Sequence, residues 1–406
     1  MLTLAFGSSS ARAISILSVP IITRIYSPSE YGLLALYVST ISILSPAATL
    51  RYGTAIPLPK TDVFAINIFA LGLVLLSLYS FILVIVLYFF GEIIFLQFNM
   101  VELQKWWWLI VLGVVGSATY ELLNSWATRK KKFQIMARTQ FTQSVIGNGT
   151  KILLGVLGYK SFGLIFGQFL NQSSGSIGLT KTLFTDFKVL RAKVSIKKLK
   201  FASRYYRQFP FFRLPSQLLL TISSNGPILI MSSIYSKDLT GQLSLAIMAI
   251  SLPTGIISQA ISSAFYAEIS RIGRRNLKKI KQLTLDIQKR LFLIGIPITI
   301  LIYFLAEPVF NVIFGLEWKN AGKYASILAP YVLLQFTSST LVQVLNITGS
   351  QLSFLMLNIV RILGLIIIYA IFKYNTFESD SFVYALSGYL SMFYIYQTIF
   401  VLKSIK

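Results

Sequence analysis

The sequence contains no cysteine and no histidine, and only 13 of its 406 residues are acidic. Without cysteine the chain can form no disulfide and carry out no thiol chemistry. Without histidine it lacks the commonest general base and metal ligand. The few carboxylates form no acidic pair at helical spacing within an apolar segment, and no phosphate-binding loop is present. These absences argue against an enzyme, and they imply no metal and no cofactor.

Hydrophobic residues make up 55% of the chain, and its mean hydropathy is +0.71. Apolar runs of about 20 residues recur throughout, and each is long enough to cross a hydrocarbon core of roughly 30 Å. The runs are continuous rather than alternating with period two, which disfavours a transmembrane barrel. The sequence therefore predicts an all-α polytopic membrane protein of about 12 transmembrane helices. The predicted spans are 2–25, 31–50, 63–90, 106–128, 134–158, 161–180, 209–234, 240–266, 291–314, 321–346, 352–372 and 381–402.

The net charge of +24 is distributed as the positive-inside rule describes. With the N-terminus placed in the cytoplasm, 26 basic residues fall in cytoplasmic segments and seven in the opposite loops, which also hold eight of the 13 acids. This bias predicts that both termini are cytoplasmic. It also explains the basic charge without a nucleic-acid partner.

A short pattern occurs twice in the chain. Ile25-Tyr26-Ser27 is followed five residues after the serine by Gly32, and Ile234-Tyr235-Ser236 is followed in the same way by Gly241, 209 residues later. We interpret this as a duplication whose halves face each other across a central cationic cavity. The predicted domains are an N-terminal six-helix lobe at 1–180, a basic cytoplasmic linker at 181–208 and a C-terminal six-helix lobe at 209–406.

Two further features concern the membrane surface. In the linker, Lys193, Lys197, Lys198 and Lys200 predict either a basic helix lying on anionic head groups or a solvated connection with no specific partner. The tryptophans are predicted to form an aromatic belt at the ends of the spans. They are Trp106, Trp107, Trp108, Trp126 and Trp318.

Four basic residues lie within predicted spans, namely Arg12, Lys151, Arg213 and Arg361. A cation in a span costs at least roughly 2.5–3.5 kcal/mol, so it usually faces a partner or a wet cavity. Arg12 is near the midplane, Lys151 and Arg361 are near mid-depth, and Arg213 is about one turn from the cytoplasmic end. We expect a cavity with several cations and few anions, which suits an anionic substrate, since guanidinium binds phosphate in bidentate fashion.

Glu121 lies inside a predicted span, two turns from the cytoplasmic end of the fourth. It could neutralise a buried cation, titrate in an ion-coupled step or reach back to Arg129. A static ion pair is the interpretation we favour.

Residues 22–32 read I-T-R-I-Y-S-P-S-E-Y-G. This stretch resembles the R-x-(L/Y)-x-P-x-(E/D)-(Y/F)-G signature that follows the first helix of Wzx-type O-antigen and capsular polysaccharide repeat-unit flippases. These belong to the multidrug/oligosaccharidyl-lipid/polysaccharide (MOP) exporter superfamily. The resemblance extends over the whole chain in span number, loop polarity and two-half layout. Family members usually begin with a basic cytoplasmic segment, whereas Met1 here runs almost directly into apolar sequence, which leaves open whether the N-terminus is complete.

The resemblance implies two six-helix bundles around a V-shaped cavity. It implies alternating-access transport of undecaprenyl-diphosphate-linked oligosaccharide across a bacterial inner membrane, for O-antigen or capsule assembly. By the same resemblance Arg12, on the first helix, and Arg213, on the equivalent seventh helix, would bind the diphosphate or acidic sugars. Lys151 and Arg361 fit this pattern without matching a motif. The implied partners are the lipid-linked oligosaccharide, membrane lipids, and a polysaccharide polymerase with its chain-length regulator.

Three alternatives stay open at this point. A MATE-like ion-coupled small-molecule exporter predicts acids in the cavity, where this chain offers mainly Glu121. A membrane enzyme, such as a polymerase or an acyltransferase, predicts a large outer loop or catalytic histidines. A scaffold that transports nothing predicts that Arg12 and Arg361 can be neutralised without effect.

Overall fold

The computed structural model describes residues 2–348 and 351–405, and the regular structure within them is entirely helical, with no strand. The chain divides into two compact units, Met1–Thr221 and Ile222–Lys406. The predicted lobe boundaries and the central cavity stay predictions.

The first unit holds nine helices and the start of a tenth. They are α1 (Leu2–Ile25), α2 (Pro28–Ala48), α3 (Asp62–Gln97), α4 (Val101–Gln104), α5 (Trp107–Arg129), α6 (Phe133–Val156), α7 (Lys160–Ser173), α8 (Gly175–Leu190), α9 (Ile196–Tyr205) and α10 (Leu214–Ile234). The second unit takes the remainder of α10 and six further helices within the described residues. They are α11 (Lys237–Ile272), α12 (Leu277–Phe314), α13 (Lys319–Ser339), α14 (Gln343–Thr348), α15 (Gln351–Tyr374) and α16 (Ser379–Ser404).

Local sequence explains where several of these helices begin. In α2, α3, α9, α11 and α12 the residue before the helix is Ser, Thr or Asn, and its side chain accepts a hydrogen bond from a first-turn backbone N–H. Such caps satisfy donors that the helix itself leaves unpaired.

A helix occupies the position of each of the 12 predicted spans, although the sixth is two helices, α7 and α8, joined at Ser174. Eight helical segments in the described residues are long and apolar enough to cross a membrane, or nine if α11, bent by 49° between Leu252 and Ile257, is one span. The protein is a multi-pass membrane protein. Helices α1, α6 and α7 are not among these segments, so crossing by all twelve stays a prediction.

The polar helix α6 is held by protein contacts, as its composition predicts. Gln143, Ser144, Gly147, Asn148 and Lys151 are buried and recur with the spacing of one helical face. This face packs between α1 and α7. Small and polar residues allow such close approach of helices where lipid supplies no hydrophobic driving force between them.

The corner between α1 and α2 is fixed by Tyr26 and Ser27 of the repeated pattern. Tyr26 is buried, and its hydroxyl donates to the backbone carbonyl of Lys151 on α6 at 2.7 Å. The side chain of Ser27 accepts from the Glu30 N–H while the Glu30 carboxylate accepts from the Ser27 N–H, which is a capping box. The motif therefore starts one helix and ties the corner to another.

The second copy of the pattern does the same in the second unit. Ser236 caps α11 by accepting from the Leu239 N–H, and the Tyr235 hydroxyl donates to the carbonyls of Phe377 and Glu378 at 3.0 and 3.2 Å. Both tyrosines thus tie a helix corner to a segment late in their own unit. This shared role supports the internal repeat.

The segment predicted as a linker is mostly helical and packs on the first unit. Asn67 on α3 donates to the carbonyl of Lys193 and accepts from the Ser195 N–H, and the Tyr52 hydroxyl donates to the carbonyl of Ser203. The predicted basic helix is confirmed as α9, which contains Lys197, Lys198 and Lys200 and begins three residues after Lys193. Its contact with head groups stays a prediction.

The predicted tryptophan belt is wrong at two positions. Trp126 and Trp318 are fully buried. Trp126 packs on Phe69 and Phe187, and its indole N–H lies 3.4 Å from the Asp186 carboxylate. The prediction used only the position of these residues near the ends of the spans, which does not tell whether other parts of the protein cover their rings.

Tyr26→Phe is expected to lower the free energy of unfolding by about 1 kcal/mol, because the hydrogen bond that joins α1 to the carbonyl of Lys151 on α6 is lost. Thermal unfolding of the purified protein in detergent measures the change. Tyr88→Phe is the control. Tyr88 lies on α3 with an exposed side chain, so this substitution should leave stability unchanged. Equal stability of Tyr26→Phe and wild type would contradict the structural role of this bond.

Gly364→Ala is expected to destabilise the second unit by about 1–3 kcal/mol, because a Cβ there would collide with the ring of Tyr389 on α16. The Tyr389 hydroxyl donates to the carbonyls of Val360 and Arg361 at 2.8 and 3.2 Å, so the ring cannot move away freely. Gly388→Ala is the matched control on α16, where a Cβ meets no atom within 4 Å. Thermal unfolding that shows the same change for both variants would disprove this steric account.

Candidate functional site

The four cations predicted within spans fall into two exposed and two buried residues. Arg12 is exposed on α1, one helical turn before Ser15. Arg213 is exposed at the end of a π-helical turn, Phe209–Arg213, and its guanidinium lies 5.0 Å from the centre of the Phe209 ring. Both side chains are therefore available to a ligand.

Lys151 is buried where α1, α6 and α7 meet, with 6% of its surface exposed. Its ammonium donates to the side-chain carbonyl of Gln168 at 2.7 Å. One turn earlier, the Asn148 amide donates to the Ser15 hydroxyl at 3.4 Å. Lys151 lies five residues before the end of α6, about 8 Å along the helix, and so closer to the helix end than its predicted mid-depth position.

Arg361 is buried in the second unit, with 7% of its surface exposed. Its guanidinium lies 5.8 Å from the ring centre of Phe393 and 5.7 Å from that of Tyr394, both on α16. The Nε atom donates to no acceptor in the described part of the chain. Aromatic faces stabilise the cation while leaving a donor unused.

The two buried cations occupy equivalent places in the repeat. Asn148 precedes Lys151 by three residues, and Asn358 precedes Arg361 by three, 210 residues later. All four side chains are buried. The sequence analysis missed the two asparagines, and the signal that could have identified them is the recurrence of N-x-x-(K/R) at almost the same offset as the repeated tyrosine pattern.

None of the four cations forms an ion pair with an acidic side chain that the structure describes. Two of the carboxylates are used elsewhere by basic residues of the loops and helix ends. Arg129 and Lys130 pair with Asp62, and Lys323 pairs with Asp380. The cations within the helices therefore keep their positive charge uncompensated by these acids.

Glu121 pairs with Arg51 rather than with a buried cation or with Arg129. Its carboxylate accepts from the Arg51 guanidinium at 2.8 Å. Arg51 has the left-handed backbone conformation, with φ of 62°, which few residues other than glycine adopt. The ion pair thus joins α5 to the turn after α2.

Residues 21–323 match the family described as polysaccharide biosynthesis protein. The succinoglycan biosynthesis transport protein ExoT of Rhizobium meliloti (strain 1021) is 22% identical over 318 residues, 77% of this chain. The chain spans 61% of the length of that relative.

Solved structures with the same fold are membrane transporters. The lipid II flippase MurJ, in an inward closed conformation, matches with a TM-score of 0.76 at 18% identity, covering 100% of this chain and 87% of that one. An inward-facing MATE multidrug transporter of the MOP superfamily matches at 0.67 and 16% identity, covering 100% and 94%. A MOP superfamily transporter of Pyrococcus furiosus, described as having a binding pocket of reverse polarity, matches at 0.60 and 16%, covering 100% and 95%.

These structural matches show the fold alone, whereas the family match covers most of the sequence. The chain belongs to the polysaccharide biosynthesis protein family.

Proposed function

We propose that the protein translocates undecaprenyl-diphosphate-linked oligosaccharide across a bacterial inner membrane, with both termini in the cytoplasm. The observation that carries the proposal is the set of four helix-borne cations that no described acid neutralises. A diphosphate offers the acceptors that guanidinium and ammonium groups bind best. The relatives support this substrate class, since ExoT is a succinoglycan transport protein and MurJ a lipid II flippase.

The four cations differ in the exposure of their side chains, and we infer a different role for the exposed and the buried pair. Arg12 and Arg213 have exposed guanidinium groups and would contact the diphosphate or acidic sugars directly. Lys151 and Arg361 are buried, and they would act on the substrate mainly through their positive potential, which a low dielectric screens weakly. Conformational change during transport would be needed before either buried side chain touched the cargo.

The partners follow from this proposal. Lipid-linked oligosaccharide would be the cargo, membrane lipids the surroundings, and a polysaccharide polymerase with its chain-length regulator the next proteins to act. Whether the product is O-antigen or capsule depends on the host. The described surface carries no feature that favours a nucleic-acid ligand over the positive-inside account of its charge.

A MATE-like small-molecule exporter is the second candidate, and the shared fold favours it. Exporters of cations need carboxylates at the binding site. Glu121 lies inside a span but is already paired with Arg51. The family match and the uncompensated cations both favour an anionic, lipid-linked cargo.

Deletion of the gene is expected to cause accumulation of undecaprenyl-diphosphate-linked repeat units and loss of surface glycan, and the wild-type gene to reverse both. Arg12→Ala is expected to insert normally and yet restore surface glycan to less than about a tenth, since removing a charged hydrogen bond costs about 1.5–3 kcal/mol. Lys105→Ala is the control, because Lys105 is an exposed loop cation.

Mass spectrometry of lipid extracts and quantification of surface glycan are the measurements. An unchanged lipid-linked pool together with raised drug sensitivity would instead identify a small-molecule exporter. Full glycan display by Arg12→Ala at normal expression would contradict the assignment of this residue to the cargo.

Glu121→Gln is expected to leave the dependence of transport on a pH gradient unchanged, because the carboxylate forms an ion pair with Arg51 rather than exchanging protons. Because the pair is partly buried, loss of the carboxylate charge is expected to lower stability by about 1.5–3 kcal/mol. Transport by proteoliposomes with and without an imposed gradient tests this, with Glu92→Gln as an acid control. Loss of the response to the gradient in Glu121→Gln alone would make Glu121 a coupling residue.

A further inference from the structure

The second unit contains a groove between α12, α13 and α16 that the transport proposal does not use. Its volume is about 720 Å³. Each helix contributes residues spaced by about one turn, so one face of each lines the groove. Close approach of two of these helices depends on Gly322, whose Cβ would lie 2.7 Å from the Cα of Glu307.

Hydrogen-bond acceptors collect in this groove. The Glu307 carboxylate forms no ion pair with a described basic residue, and the Oδ1 atom of Asn311 is buried and accepts no hydrogen bond from the described residues. Both line the groove on the same side of α12, one turn apart. A buried acceptor without a donor costs roughly 1–3 kcal/mol, so a donor-bearing ligand would be stabilised there.

Two prolines add further acceptors. Pro308 and Pro330 lie inside α12 and α13, and neither has an N–H to donate to the carbonyl four residues before it. Those carbonyls belong to Phe304 and Ser326, and all four residues line the groove. The groove therefore combines a carboxylate and an amide oxygen with two residues whose backbone carbonyls lack their usual i+4 donor.

A cation and aromatic rings complete the lining. Lys323 lines the groove and pairs with Asp380 at its edge, while Tyr303 and Tyr384 expose their rings. Aromatic faces attract ammonium groups, and tyrosine is common at the membrane interface. The groove thus holds acceptors and aromatic rings that can bind an ammonium group, and beside them a lysine that can bind a phosphate.

The groove opens beside apolar surface. Ile300, Leu301 and Val312 on α12 and Met392 on α16 are exposed hydrophobic side chains. Glu307 lies seven residues before the end of α12, about 10 Å along the helix. With the end of α12 at the membrane surface, this depth corresponds to the boundary between head groups and hydrocarbon, so an occupant with acyl chains would place them along these two helices.

We propose that this groove binds the head group of an aminophospholipid such as phosphatidylethanolamine. Its ammonium group donates to the Glu307 carboxylate and to the Oδ1 atom of Asn311, and its phosphate lies against Lys323, whose ammonium has N–H groups besides the one directed at Asp380. The inference does not depend on which cargo the protein transports.

Delipidated protein in detergent, titrated with phosphatidylethanolamine or phosphatidylglycerol and observed by native mass spectrometry, tests the proposal. Wild type is expected to retain one phosphatidylethanolamine with at least about tenfold preference over phosphatidylglycerol, a factor that corresponds to about 1.4 kcal/mol. Phosphatidylcholine should bind about tenfold more weakly, because its methylated nitrogen has no N–H to donate. Equal retention of the three lipids would overturn the assignment.

Variants locate the lipid in the groove. Glu307→Gln should lose the preference for phosphatidylethanolamine, while Glu317→Gln, which changes an exposed acid outside the groove, should keep it. Gly388→Leu should block retention by filling the groove, because a Cβ at Gly388 meets no atom within 4 Å. An unchanged preference in Glu307→Gln would place the lipid elsewhere and refute the proposal.

Discussion

The hydrogen bond from the Tyr26 hydroxyl to the carbonyl of Lys151 is the contact on which the first unit depends. In hydrocarbon, a backbone group without a partner is costly, so helix ends and corners need internal donors and acceptors. Tyr26 meets this need and at the same time brings α1 against α6, which buries the Lys151 side chain beside Gln168. The Tyr26 hydroxyl thus connects the corner between α1 and α2 to Lys151, which lies 125 residues later in the chain.

That coupling gives a physical meaning to the repeat. Each unit has a tyrosine at a helix corner that donates to a carbonyl, and each has a buried cation three residues after a buried asparagine. Burial of a cation without an anion is expensive, and here it is offset by Gln168 in one unit and by two aromatic rings in the other. Neither solution cancels the charge, so both units keep a positive potential that a transporter of anions can use.

Much of the fold was predictable because helix length and loop charge are local properties. The position of each span and the basic helix at 196–205 follow from apolar runs and lysine clusters. Exposure was not predictable in the same way. Trp126 and Trp318 are buried, and Arg12 is exposed while Lys151 is not, because these outcomes depend on which helices pack against each face. The partner of Glu121 is 70 residues away and on a turn, so spacing along a helix could not identify Arg51.

Two parts of the second unit contain hydrogen-bonding groups for which the described residues supply no partner, a donor in one part and an acceptor in the other. Around Arg361 a donor is left over, whereas between α12, α13 and α16 the surplus is in acceptors. The unused donor of Arg361 favours an anion at the first place, whereas the Glu307 carboxylate favours a cation at the second, so the two places differ in the ligand that each prefers. If the acceptor groove holds an ammonium head group, the lipid both satisfies buried oxygens and keeps the cargo from binding there. Separation of the two chemistries within one unit would let the same protein select an anionic cargo while bound to a zwitterionic membrane lipid.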